Sequence, residues 1–105
     1  MTEAQYQAKL VQKLNQRFPG CLILRGDAFR DQGILDLFIL YNKRWASLEV
    51  KASRSAPTRP NQDHFVERLG EMSFAAYIYP ENEKEVLDAL EQALKPPRRT
   101  RISES

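Results

Sequence analysis

The run ILDLFILYNKRWASLEVKA, residues 34–52, limits most strongly what this chain can fold into. Its first half is apolar and β-branched or aromatic in the manner of a buried strand, apart from one acid, Asp36. Asn42 and Lys43 suit a tight two-residue turn, a weaker hairpin signal than Asn-Gly. After the turn the residues alternate, with Leu48 and Val50 on one face and Ser47, Glu49 and Lys51 on the other. The spacing therefore predicts an antiparallel hairpin with charge at its open end.

The flanks supply the remaining elements. Thr2 can cap a helix whose Tyr6, Leu10, Leu14 and Phe18 repeat at four-residue steps, and Pro19-Gly20 ends it. CLILR reads as a short buried strand, and the polar loop GDAFRDQ leads through Gly33 into the hairpin. Beyond SRSAPTRP, Pro60 suits the first turn of a helix in which Phe65, Leu69 and Met72 share a face with Gln62. FAAYIY then forms a fourth strand, closed by Pro80, and a last amphipathic helix turns Val86, Leu87, Leu90 and Leu94 inward. The expected order is helix, three strands, helix, strand, helix, with a helical crossover joining the meander to the fourth strand.

With 105 residues and 42% hydrophobic content there is material for one core, so residues 1–95 are read as one α/β domain followed by a basic, disordered tail, residues 96–105. A formal charge of +2 permits a polyanionic partner without demanding one. The lone Cys21 cannot form an internal disulfide and suits a reducing compartment. No apolar run reaches membrane-spanning length, and MTEAQYQAKL lacks a signal-peptide layout, so the expectation is a cytoplasmic protein with no membrane partner.

If Tyr41 pairs with Arg44 across a two-residue turn, the register sets Asp36 opposite Glu49. A three-residue loop would instead set Asp36 opposite Val50. Two opposed carboxylates repel by about 4 kcal/mol at an effective dielectric near 20, a large share of a small domain's stability. A divalent cation relieves that repulsion, and so does one shared proton, but only the cation also accounts for Lys51 on the same face. Glu3 adds a third carboxylate if the first helix packs across the sheet; charge stabilisation of a helix N-terminus also explains it. Gln62 is a polar group beside an apolar stripe, or a boundary residue. His64 has no second histidine with which to bind metal and reads as solvated.

A helical Glu3 with Gln7 in E-x-x-x-Q, GILD ending in Asp36, LEVK with Glu49 and Lys51, and the later Gln62 together resemble the PD-(D/E)XK nuclease superfamily. The chain looks most like stand-alone virus-type replication-repair nuclease (VRR-NUC) domains and is similar to phage and archaeal Holliday-junction resolvases. It departs from the pattern at Leu35, where the family has proline. The resemblance implies a restriction-endonuclease-like core, α-β-β-β-α-β, with a mixed four-stranded sheet and an added C-terminal helix. It implies a Mg²⁺- or Mn²⁺-dependent endonuclease acting on DNA, branched or plain, in a bacterial or phage-infected cytosol. Asp36, Glu49, the Val50 carbonyl and Glu3 would hold metal, Lys51 would position water, and Gln62 would assist. Arg25, Arg30, Arg54 and Arg59 would contact phosphates, or serve only as surface charge. Because cutting two strands takes two sites, a homodimer is expected. The alternatives are a homing or restriction-like endonuclease and a catalytically idle nucleic-acid-binding module.

Overall fold

A computed structural model describes residues 1–26, 36–58 and 61–95. Three α-helices and four strands follow the chain as α1 (Glu3–Arg17), β1 (Leu22–Arg25), β2 (Leu37–Tyr41), β3 (Arg44–Val50), α2 (Gln62–Met72), β4 (Phe74–Ile78) and α3 (Glu83–Leu94). The strands form one mixed sheet in the order β1-β2-β3-β4, antiparallel across the first three and parallel between β3 and β4. This α-β-β-β-α-β-α order is the one the periodicities predict. The tail and the loop through Gly33, with Arg30, Arg59 and Pro60, lie outside the described residues.

The hairpin is the geometric centre. Tyr41 pairs with Arg44 and Leu37 with Leu48, so the turn holds two residues only. Asn42 and Lys43 both lie in the left-handed region, at φ 56° and 65°, which is the requirement of a type I′ turn. The Asn42 side chain also donates to the Leu94 carbonyl at 3.2 Å, tying the turn to the end of α3.

The strand period then sorts β3 into two faces. Ala46, Leu48 and Val50 join Leu37, Ile39 and Ile78 in a core completed by Tyr6, Leu10, Leu14 and Phe18 of α1 and its end and by Val86, Leu87, Leu90 and Leu94 of α3. On the other face α2 packs: Ser73 at its end donates to the Trp45 carbonyl, and Gln62 at its start reaches Glu49. α1 begins at a capping box, with Thr2 and Gln5 bonding reciprocally.

Two expectations about burial fail. β1 is an edge strand, not a buried one, and Leu22 is 56% exposed because α2 covers the β3–β4 half of its face and leaves the β1–β2 half open. Met72 is 61% exposed for a related reason: it ends α2 at the turn into β4 instead of lying over the sheet.

Lys43 pays a conformational penalty at φ 65° that glycine avoids. Lys43→Gly is therefore expected to stabilise the fold by about 0.5–1 kcal/mol in urea unfolding, and Lys43→Val to destabilise it by at least as much. Equal midpoints for the two variants would rule out the type I′ turn as a determinant.

Candidate active site

β2 ends its ladder one pair short of the expected contact. Leu37 is its first residue, and Asp36 sits in a bend just outside it. Asp36 therefore does not stand as a paired strand residue opposite Glu49. Its Oδ2 instead accepts the Val50 N–H at 2.9 Å, which fastens the mouth of β2 to the end of β3 beside Glu49. The parity inferred from the two-residue turn holds, but the carboxylate uses it to cap a backbone donor.

Glu49 lies on the α2 face of the central strand and is only 2% exposed. Such burial is costly for a carboxylate without donors, and the structure supplies one: the amide of Gln62, itself 3% exposed, donates to Glu49 Oε2. Asn61, in the left-handed region at φ 70°, turns the chain into α2 so that Gln62 opens the helix facing β3. Gln62 is thus the one fully buried side chain of α2, and its burial is tied to Glu49 and not to an apolar stripe.

Lys51 follows β3 and donates its amine to the Arg54 carbonyl at 3.2 Å. Two rings that sequence patterning did not single out stand beside it. Tyr77 is the β4 partner of Glu49 and donates its hydroxyl to Asp63 in the first turn of α2. Burial, then the Asp63 bond, then the nearby Asp63 and Glu49 charges hold the Tyr77 phenol well above the usual tyrosine range. The ammonium of Lys51 lies 5.4 Å from the Tyr77 ring and 5.6 Å from the Tyr79 ring. No motif flags these tyrosines, because the β3–β4 register that brings Tyr77 to Glu49 is set by the crossover through α2.

The remaining expected site residues separate. Glu3 is exposed in the first turn of α1. Among the described residues no three His, Cys, Asp or Glu side chains gather at metal-binding spacing, so Glu3, Asp36 and Glu49 do not form the three-carboxylate cluster. Arg25 is exposed at the end of β1, where it pairs with Leu37, the residue after Asp36. Arg54 stacks its guanidinium over Tyr79 at 5.9 Å. His64 is exposed against Phe65, as expected. No described helix is long and apolar enough to cross a membrane.

Asp36, Glu49 and the Val50 carbonyl offer oxygen atoms, the donor type that hard divalent cations take, with no sulfur or imidazole among them. What the described residues define is a mixed α/β domain with two carboxylates, an amide and a lysine at one end of its central strands. Against protein-family models, curated proteins and solved structures alike, the chain has no match.

Asp36→Asn keeps an oxygen acceptor for the Val50 N–H, whereas Asp36→Ala removes it. The expected outcome is a loss of about 1–3 kcal/mol for the alanine variant and under about 1 for asparagine, read from urea midpoints. Equal losses would show that the Val50 bond is not what Asp36 contributes to the fold.

Proposed function

We propose that this chain is a divalent-metal-dependent phosphodiesterase acting on DNA, built on a restriction-endonuclease-like core. One observation carries the reading: Asp36 is bonded to the residue after Glu49, so two acids thirteen positions apart stand at the same sheet end with Lys51 two residues further on. A small domain has little stability to spare, and burying Glu49 costs some of it even with an amide donor, which supports a role for Glu49 beyond the fold.

Hydrolysis of a phosphodiester adds a water oxygen to phosphorus, breaks one P–O ester bond and delivers a proton to the leaving oxygen. The protein's part in that reaction is positioning and charge neutralisation. A bound divalent cation supplies Lewis-acid polarisation of the phosphate and of the attacking water. Asp36 and Glu49 would anchor it, with Gln62 fixing the Glu49 carboxylate through its amide. Lys51, which donates to the Arg54 carbonyl beside this sheet end, would orient the water or meet a phosphate oxygen.

Nicking of supercoiled plasmid and of a four-way junction, with Mg²⁺, with Mn²⁺ and with chelator, tests the reading. Cleavage is expected only with metal, and Lys51→Ala is expected to lower it at least about a hundredfold, the usual scale for general acid–base and positioning groups. A folded protein that cuts no DNA under any of these conditions would point to the nucleic-acid-binding module instead.

Cutting both strands of a duplex would take two sites, so the proposal extends to two copies acting together. Sedimentation with DNA is expected to show a homodimer, and a monomer at working concentration would end that part of the proposal.

A further inference from the structure

Two cations converge on one ring. The Lys51 ammonium lies 5.6 Å from the Tyr79 centroid, and the Arg54 guanidinium carbon lies 5.9 Å from the same point. The backbone of Arg54 is gripped on both sides, its N–H by Glu81 at 3.1 Å and its carbonyl by Lys51 at 3.2 Å. Neither side chain forms an ion pair with a described carboxylate, in contrast to Lys13, Arg17, Arg68 and Lys84, which all do. The Arg54 guanidinium donates no hydrogen bond to a described residue, although Glu81 lies against its own main chain.

Two positive groups so placed repel each other, and the negative face of the Tyr79 ring attracts each of them. The ring therefore does what a carboxylate usually does for cations, but without consuming their donors. Lys51, Tyr77 and Tyr79 also line an open cleft of about 480 Å³ that runs on to Asn82 and Glu85. A pair of unneutralised donors, one a fork and one a point charge, matches a tetrahedral oxyanion.

We propose that Tyr79 is a positioning residue that presents Lys51 and Arg54 together as the subsite for one nucleic-acid phosphate. This rests on the DNA-directed reading of the adjacent carboxylates. It goes further in assigning the anion-binding role to a ring that touches neither metal nor the reacting atoms. Held this way, Lys51 stays beside the phosphate it serves instead of collapsing onto Asp36 or Glu49, and Arg54 fixes the strand.

The test uses the full chain and a short fluorescent DNA duplex in chelator, where binding is read without cleavage. Tyr79→Phe keeps the ring and is expected to bind within about twofold of wild type. Tyr79→Met keeps bulk without the ring and is expected to bind about three- to thirtyfold more weakly, the span of one or two cation–ring contacts. On an Arg54→Ala background the methionine change should cost much less, because the two residues act as a unit.

The Lys51 ε-methylene protons, assigned by their loss in Lys51→Arg, are expected upfield in wild type and Tyr79→Phe and clearly less so in Tyr79→Met, where only the Tyr77 ring at 5.4 Å still shifts them. Matched urea midpoints keep the comparison to folded protein, and Tyr79→Leu replaces the methionine variant if that one unfolds. Equal affinity of the methionine variant and wild type, equal impairment of phenylalanine and methionine, or no DNA binding by the wild-type chain each overturns the proposal. Retention of the binding pattern in a protein that never cleaves DNA overturns the hydrolase reading alone and leaves the phosphate subsite supported.

Discussion

The two-residue turn at Asn42 and Lys43 is the constraint from which the rest follows. With both residues left-handed, the strands leave the turn with Tyr41 against Arg44, and each later pair is set. β3 is the central strand and is buried from Ala46 to Val50, so its register has no tolerance. A slip of one residue would turn Ser47 and Glu49 into the α1–α3 core and bring Leu48 and Val50 out under α2. The same slip would separate the Asp36 carboxylate from the Val50 N–H. Fold and site thus depend on one piece of backbone geometry, and Asn42 secures it further by bonding to the end of α3.

The charges divide into two populations with different physics. Along the outside of α1 and α3, Lys13 pairs with Glu83 at 2.6 Å, and Arg17 reaches Asp88 and Glu91, both at 2.7 Å. Arg17, chiefly, and Lys84 hold the Asp88 carboxyl below its usual range. These contacts sit in solvent and contribute little each. They orient the two helices over the core rather than supply its stability, which comes from the leucines between them. The other population lies at the end of the sheet, where Glu49 is buried with an amide donor and Asp36 is spent on a backbone N–H. There the protein accepts the cost of desolvation, and that asymmetry is what the proposed function rests on.

Much of this was legible along the chain because it follows from local periodicity. The four-residue steps of Tyr6, Leu10, Leu14 and Phe18 and the inward stripe of α3 translate directly into burial, whereas the alternation of β3 sorts its two faces but both are buried. Edges were not legible. CLIL reads as a core strand by composition, yet sheet order makes β1 an edge, and Leu22 and Leu24 meet solvent because α2 covers the β3–β4 half of their face. Met72 has the right spacing for the inner face of α2, but its place depends on where the helix ends against β4. Tyr77 and Tyr79 were invisible as site residues, since tyrosine in an apolar strand carries no signal of what will stand across the sheet.

The sequence by itself determined the element order, the antiparallel hairpin and the presence of Asp36, Glu49 and Lys51 at its open end, because each depends on contacts within a few residues or across one turn. Tertiary structure alone decided which partners those groups acquire. Gln62 reaches Glu49, Tyr77 stands beside it, and Arg54 folds back over Tyr79 only once α2 has crossed the sheet and β4 has paired parallel to β3. That pairing joins segments more than twenty residues apart in the chain. Long-range contacts of this kind are fixed by how whole faces fit together, which no local pattern encodes.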